Sequence, residues 1–421
     1  MGCSKNIVDS EQLMRQLNDK YDVSHESETD DADIVIINTC GFIADAKQES
    51  IDTILNFSDS KQKGKNKKVY VMGCLSQRYK EELKKEMPEV DAFFGVNDIS
   101  DLLKTLDVDF KKELLGERML TTPKHYAYLK ISEGCNRRCS FCAIPLIRGN
   151  NISKPIEDLI KEAEWMVSQG VKELILIAQD LTYYGMDIYK KRKLAELLEK
   201  LALIKGVEWI RLHYAYPAAF PMDVLKVMAK YDNICKYLDI PLQHINTDIL
   251  ASMKRNIDAS KTKEIVLKIR KLIPTISIRT TFIVGYPGET FSQFEELKKF
   301  IAVSKFERLG VFTYSPEENT SAFKLKDNVS AKTKEKRFSE IMEMQQLISA
   351  ELNTAKIGKI YKTIIDRKEG NYWIGRTEFD SPEVDNEVLI TSKTKEVIIG
   401  NFYQVKITSS EDYDLYGEIV V

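Results

Sequence analysis

The first part of the chain alternates short apolar runs with longer amphipathic stretches. The runs "ADIVIINTC" (32–40) and "KKVYVMGC" (67–74) are rich in β-branched residues, and apolar positions at helical spacing follow each of them. Such runs predict buried strands, and their alternation with helices is typical of a parallel sheet. We therefore predict a small parallel α/β domain over residues 1–110.

From Tyr126 the same alternation continues on a larger scale. Amphipathic segments such as "IEDLIKEAEWMVSQG" (156–170) predict helices between six apolar runs. Six βα units predict a wall of parallel strands, a partial (β/α)6 barrel, because a closed barrel of this kind needs eight. We place this unit at 121–350, after a charged linker at 101–124. The predicted strands are 126–132, 172–180, 207–215, 237–244, 277–285 and 309–315.

The pattern changes after a long helix predicted at 331–356. Residues 357–421 consist of short alternating runs broken by Gly, Asn and Pro. Such runs predict a small antiparallel β-barrel domain, which we place at 356–421. No run of eighteen apolar residues occurs, so no membrane span is predicted. The opening "MGCSKNIVDSEQ" has no apolar core of the kind that signals export.

Composition narrows the class of protein without indicating a function. The 421 residues are 43% apolar and 30% charged, with a formal net charge of −2, so no overall charge attracts nucleic acid or membrane. Seven cysteines are an odd number at low density, which argues against a secreted disulfide scaffold. We expect a cytoplasmic protein with clustered thiols.

Three of the cysteines stand close together in "EGCNRRCSFCAIP" (133–145), just after the first strand of the large unit. Cys135, Cys139 and Cys142 would need a fourth Cys or His to form a structural zinc site. The nearest candidates, His125 and Cys235, belong to no such pair. A [4Fe–4S] cluster tolerates three thiolates, because its fourth iron can accept a small ligand. An iron–sulfur cluster is therefore favoured over zinc.

The C-x3-C-x2-C spacing, with Phe141 before its last cysteine, resembles the signature of the radical S-adenosylmethionine enzymes. The resemblance implies that the open iron binds S-adenosylmethionine and that an electron from the cluster then produces a 5′-deoxyadenosyl radical. It also implies that Gly285 and Gly288, in "FIVGYPGET", supply backbone near the cofactor. Gln179 and Arg279 are expected near strand ends facing the same rim, as further contacts. Purely structural roles remain an alternative for these residues.

A second set of cysteines is spread over the first domain. Cys40 and Cys74 each end an apolar strand, and Cys3 lies in "GCSKN" at the start of the chain. Because the carboxyl ends of parallel strands share one edge of a sheet, the three can meet in space, although buried structural thiols remain the alternative. The set resembles the auxiliary cluster of the methylthiotransferases, which normally have a strand before this motif. Without that strand we expect Cys3 to lie on an end that frays. Cys235 is expected to pack in the core.

Resemblance to the methylthiotransferases extends over nearly the whole chain, through "NTCGF", "CSFCAIPLIRG", "LIAQDLTYYG", "RTTFIVGYPGET" and "YDLYGE". "GCSKN" and "CAIPLIRG" are closer to the branch that modifies a ribosomal protein than to the transfer-RNA branches, which carry a "GCQMN"-like start. The implied reaction adds a methylthio group to the β-carbon of an aspartate in ribosomal protein twelve of the small subunit. The implied cofactors are two [4Fe–4S] clusters and S-adenosylmethionine, with an electron donor as a further partner.

The last domain resembles a TRAM domain, which grips RNA in the transfer-RNA enzymes. From Lys356 to Val421 there are nine Lys and Arg against twelve Asp and Glu. An acidic balance suits a basic ribosomal protein and repels phosphate, so nucleic acid is not expected as the direct substrate. A charge balance without functional meaning is the alternative. Two other functions stay open: a transfer-RNA adenosine methylthiotransferase, and a zinc-bound module that binds RNA or the ribosome.

Overall fold

The protein is described by a computed structural model over residues 2–25, 32–392 and 396–420. Its amino-terminal part contains the predicted parallel sheet, in which three strands pair in chain order. Helices pack on both faces of this sheet and form two apolar cores. The elements are α1 (Ser4–Leu17), β1 (Ile34–Thr39), α2 (Ala44–Gln62), β2 (Lys68–Gly73), α3 (Cys74–Glu86), β3 (Ala92–Phe93) and α4 (Ile99–Thr105).

Helix α4 lies partly in the segment predicted as a linker. Leu102 and Leu103 are fully buried in the core that α1 and β2 share. The prediction of a linker from residue 101 is therefore wrong for its first residues, because two apolar side chains anchor a short helix within an otherwise charged stretch.

The central part is built on one open, entirely parallel sheet of six strands, as predicted from the six apolar runs. The strands lie across the sheet in the same order as along the chain. The edge strands are Tyr126–Lys130 and Arg308–Thr313. The elements are β4 (Tyr126–Lys130), β5 (Ser132–Glu133), α5 (Ile144–Arg148), β6 (Ile152–Ser153), α6 (Ile156–Ser168), β7 (Glu173–Ile177), α7 (Leu194–Ala202), β8 (Trp209–Leu212), α8 (Met222–Lys230), β9 (Ile234–Asp239), α9 (Thr247–Ser252), α10 (Ala259–Leu272), β10 (Ser277–Val284), α11 (Phe291–Ser304), β11 (Arg308–Thr313) and α12 (Ala331–Thr354).

The two faces of this sheet bury different partners. Leu174 and Leu176 of β7 join a large core with the surrounding helices. Ile175 and Ile177, which alternate with them, point to the opposite face and contact Val8 of α1. We call this second face the inner face; helix α1 and the last domain both dock on it. None of the described helices is long and apolar enough to cross a membrane.

The last domain is a closed five-stranded barrel, which confirms the predicted small β-barrel. Most neighbouring strands are antiparallel, but the third and fifth pair in parallel. Its strands are β12 (Ile360–Glu369), β13 (Tyr372–Thr377), β14 (Val388–Thr391), β15 (Phe402–Ser410) and β16 (Leu415–Ile419).

The connection between β13 and β14, residues 378–387, packs against the inner face near the amino ends of the strands. Glu173 is fully buried there and accepts hydrogen bonds from Arg211 Nε at 2.7 Å and Arg376 Nη2 at 2.9 Å. Asp380 accepts from Arg308 Nε at 3.0 Å in the same interface. Because each of these buried charges has an opposite partner, the interface tolerates their burial.

Replacing Glu173 tests this interface. Glu173→Ala leaves Arg211 and Arg376 without their shared carboxylate and should lower the free energy of unfolding by about 3–5 kcal/mol at pH 7, measured in urea. The exposed pair Glu208–Lys362, 2.8 Å apart, joins the same two domains. Its variant Glu208→Ala is the matched control and should cost less than about 1 kcal/mol.

The same variant predicts a pH dependence. Burial opposes ionisation of Glu173, but Arg376 and Arg211 outweigh it and hold its pKa below the ordinary 4.5. Its contribution is therefore full above that pH and is lost as the pH falls below it. The stability difference between wild type and Glu173→Ala should narrow in acid; a constant difference down to pH 3 would contradict the assigned ion pairs.

Candidate iron–sulfur centre

The loop after β4 gathers three thiols at the carboxyl edge of the central sheet. The backbone N–H of Cys142 donates to the carbonyl of Cys139 at 3.2 Å. Burial, together with the nearby thiols of Cys139 and Cys135, raises the pKa of Cys142 to about 12. Burial likewise raises the pKa of Cys135 to about 11. The three thiols thus influence one another on one short loop, and their binding of one cluster stays a prediction.

Cationic side chains approach these sulfur atoms. Arg255 Nη1 lies 3.3 Å from Cys139 Sγ, and the backbone N–H of Arg137 lies 3.4 Å from Cys135 Sγ. Both guanidinium groups stack on the ring of Tyr216, at 4.3 and 4.1 Å from its centre. Donors of this kind stabilise thiolates and tune the potential of a cluster bound to them.

Backbone contacts fix the course of the loop. Gly134 has φ +79°, and a Cβ atom there would lie 2.1 Å from the carbonyl oxygen of Asn150, so only glycine fits. Further along, the backbone N–H of Ser140 donates to the carbonyl of Met253 at 3.0 Å, and its own carbonyl accepts from Ala322 at 2.7 Å. The loop is thus held by the residue that follows α9 and by a turn after β11.

A second triad of thiols lies in the amino-terminal part. Cys40 follows β1, Cys74 begins α3 directly after β2, and Cys3 immediately precedes α1. Burial, together with the thiols of Cys3 and Cys40, raises the pKa of Cys74 to about 11. A Cβ atom at Gly41 would lie 2.7 Å from the backbone nitrogen of Leu75, so the loops after β1 and β2 touch. Cys40 and Cys74 therefore lie at one edge of the small sheet, and the thiol of Cys3 is near enough to raise the pKa of both.

A [4Fe–4S] cluster and a single metal ion require different spacings of their ligands. All six of these cysteines are free thiols. Within the described residues, no three or more Cys, His, Asp or Glu side chains are placed to hold one metal ion. In a cubane each cysteine binds a different iron, so its ligands lie farther apart than ligands of one zinc ion. Buried hydroxyls without a partner, at Ser4 and Ser76, adjoin Cys3 and Cys74.

A network of four buried charges joins the two regions. Lys130 Nζ, on β4, donates to Asp9 of α1 and, at 2.7 Å, to Glu133. Arg148 Nη1 donates to the same two carboxylates, at 3.1 Å to Asp9 and 2.8 Å to Glu133. Burial would raise the pKa of Glu133, but Lys130 and Arg148 outweigh it and lower that pKa to about 2. The network thus links α1 to the cysteine loop.

Asn6 carries this network to the second triad. Its Oδ1 atom accepts from Arg148 Nη2 at 2.6 Å and lies 3.8 Å from Cys74 Sγ. Its Nδ2 atom donates to the carbonyl of Thr39, beside Cys40, at 3.0 Å. One asparagine therefore touches the surroundings of two cysteines of this triad.

Gln179 lies just beyond β7, at the carboxyl edge predicted for it. Its Nε2 atom donates to Glu133 Oε1 at 2.7 Å, whereas its own Oε1 atom is buried without a partner. Phe141 packs in an apolar cluster with Ile283 and Tyr286. An acceptor is therefore available at Gln179, and Phe141 packs into the adjoining core.

Gly285 and Gly288 form a turn after β10, with φ of +71° and +86°. The backbone N–H of Gly285 donates to Glu289, and that of Gly288 donates to Asn328 at 2.8 Å. Both N–H groups already donate within the protein. A contact with a cofactor would therefore use the carbonyl groups of these two glycines or the shape of the turn.

The position of Arg279 is set by the strand next to it. Arg279 is the third residue of β10 and pairs with Asp239, the last residue of β9, so it lies level with the carboxyl end of that strand. Its Nε atom lies 3.2 Å from Asp385 of the last domain, and its Nη1 atom lies 3.5 Å from Asp239. Two carboxylates hold it, and a contact with S-adenosylmethionine stays a prediction without support from this position.

Sequence reasoning missed several residues of this centre. Asn6 and Arg148 belong to the motifs "GCSKN" and "CAIPLIRG", so those motifs were a usable signal. Asp9 lies in the opening stretch "GCSKNIVDSE", which the resemblance also includes, whereas Lys130 and Arg255 belong to no motif that we singled out. Only the fold brings the three to the thiols.

Comparison with known families assigns each part of the chain. The Radical SAM superfamily matches residues 129–301, the uncharacterized protein family UPF0004 matches 1–95, and the TRAM domain matches 357–420.

Curated relatives match along the whole chain. A ribosomal protein uS12 methylthiotransferase RimO from Cytophaga hutchinsonii is 56% identical over all of this chain and 96% of its own length. The RimO of Christiangramia forsetii is 59% identical over 99% of this chain and 92% of its own length. Among solved structures, the radical S-adenosylmethionine methyltransferase TsrM from Kitasatospora setae has a TM-score of 0.55 at 12% identity, covering 74% of this chain and 70% of its own. That likeness concerns the fold alone.

Iron content tests the second triad. If Cys3, Cys40 and Cys74 hold a cluster of their own, Cys40→Ala should lower the iron and sulfide of the reconstituted protein by about half, given two cubanes of equal size. Cys235→Ala is the matched control, since Cys235 is equally buried but packs beside Trp209 and Tyr237 in an apolar cluster. Unchanged iron in Cys40→Ala would show that Cys40 is a structural thiol.

Proposed function

Because the chain belongs to the ribosomal protein uS12 methylthiotransferase RimO family, we propose that it adds a methylthio group to the β-carbon of an aspartate in uS12. It is a radical S-adenosylmethionine enzyme with a TRAM domain. The observation that carries the proposal is the pair of cysteine triads, one on the edge of each parallel sheet, joined by one network of ion pairs.

Cys135, Cys139 and Cys142 are the proposed ligands of the [4Fe–4S] cluster that defines the superfamily. With S-adenosylmethionine bound, such a cluster supplies a 5′-deoxyadenosyl radical that abstracts hydrogen from carbon. Arg255 and Arg137 hold the sulfur atoms of this loop by hydrogen bonds and compensate their charge. The unpartnered Oε1 atom of Gln179 offers an acceptor to the amino group of the cofactor.

Cys3, Cys40 and Cys74 are the proposed ligands of a second [4Fe–4S] cluster, through which sulfur reaches the substrate. Asn6 and Arg148 orient this triad relative to the first. The network of Asp9, Lys130 and Glu133 keeps α1 on the inner face, so that both triads border the same space.

The proposed partners are uS12 and an electron donor, in the cytoplasm. The acidic balance of the last domain, nine Lys and Arg against twelve Asp and Glu from Lys356 onward, supports a basic protein as the partner. It disfavours the transfer-RNA methylthiotransferase, whose substrate is a polyanion. The zinc-bound module is disfavoured because the chain belongs to a family of radical S-adenosylmethionine enzymes.

Mass spectrometry of uS12 tests the proposal. The reconstituted, reduced wild type with S-adenosylmethionine should increase the mass of uS12 by one methylthio group in place of hydrogen, and should leave transfer RNA unmodified. Cys139→Ala should abolish 5′-deoxyadenosine formation, because it removes one of three thiolates. Cys40→Ala should still form 5′-deoxyadenosine but should not insert sulfur. Modified transfer RNA with unmodified uS12 would establish the other branch.

A further inference from the structure

Lys5 is a buried cation next to the second triad. Only 7% of its surface is exposed, although it lies in the first turn of α1, two residues after Cys3. Its Nζ atom is 3.2 Å from the centre of the Tyr214 ring, just beyond β8 on the inner face. The ammonium group thus points from the amino-terminal part into the space beside the central sheet.

No carboxylate of the described residues pairs with this ammonium. The buried cations around it differ in this respect: Lys130 is bound by Asp9 and Glu133, and Arg279 is held by Asp239 and Asp385. Burying a charge without an opposite partner is costly, and one aromatic ring compensates it only in part.

The neighbouring acceptors already have other donors. Asp239, a carboxylate near enough for Lys5 to affect its pKa, accepts from the backbone N–H of Tyr214 at 3.2 Å and lies 3.5 Å from Arg279. The ammonium group of Lys5 therefore remains without a carboxylate partner among the described residues, and such a group suits a carboxylate.

We propose that Lys5 binds the carboxylate of the target aspartate. This inference rests on the proposed function and assigns the residue that recognises the acceptor side chain. A carboxylate on Lys5 would replace the missing ion pair and hold the adjoining β-carbon near Cys3 and the second triad. An aspartate is selected over an asparagine because only the charged group neutralises the buried ammonium.

A double-mutant cycle between enzyme and substrate tests the contact. The binding of uS12, and of uS12 with its target aspartate changed to asparagine, is titrated against the reconstituted wild type and against Lys5→Met. Methionine keeps a side chain of similar length and removes the charge. A single charged hydrogen bond predicts that either change alone weakens binding by about 10- to 100-fold. The two changes together should weaken it no further than one of them.

Two further variants complete the design. Lys104→Met removes a lysine whose side chain is 73% exposed and should leave both dissociation constants unchanged. Lys5→Arg keeps the charge and should retain a preference for aspartate over asparagine. This variant also tests the contact if Lys5→Met does not fold. Iron content compared with the wild type shows whether each variant assembles its clusters.

The inference is overturned if Lys5→Met binds both forms of uS12 as the wild type does, or weakens both by the same factor. It is also overturned if Lys5→Arg shows no preference for aspartate where the wild type has one. Failure of the wild type to modify uS12 is a different result. It refutes the proposed function, whereas the binding comparison tests the role of Lys5 independently.

Discussion

The two cysteine triads depend on one buried ionic contact. Asp9 and Glu133 each bind both Lys130 and Arg148, so two carboxylates and two cations compensate one another. Each charge alone would be costly to bury, and removal of one would leave an excess on the others. Because Asp9 belongs to α1 and the other three to the central part, the contact also fixes the small sheet relative to the large one. The positions of both triads follow from it.

The last domain closes the opposite end of the inner face by the same principle. Three arginine side chains are buried between the strands and the connection from β13 to β14, namely Arg211, Arg376 and Arg308. Glu173 pairs with the first two, and Asp380 pairs with the third. The barrel is thereby fixed to the amino ends of the strands, away from the edge that carries the thiols. A domain held in this way can present its outer surface to a partner without blocking the space between the triads.

The sequence predicted the parts of the centre whose geometry is local. Cys135, Cys139 and Cys142 lie on one loop, and the strand ends place Cys40 and Cys74 on one edge, so spacing and periodicity sufficed. The pairing of Arg279 with Asp385 could not be predicted, because the two residues lie 106 positions apart. Arg148 pairs with Asp9 over 139 positions, a distance at which pattern carries no information.

Charge pairing also explains why one cation on the inner face stands apart. Near the amino ends of the strands, the buried guanidinium groups are paired with carboxylates. Near the thiols, Lys130 and Arg148 are also paired with carboxylates. The buried cations of this face are therefore generally neutralised by an acidic side chain. Lys5 lies on the same face, and along the chain it is closer to a cysteine of the second triad than any of these cations. Its ammonium group contacts a tyrosine ring. A structural lysine at this position would gain stability from a neighbouring acid, and Asp239 is turned instead toward Tyr214 and Arg279. The free charge is therefore best explained by a carboxylate that arrives with the substrate.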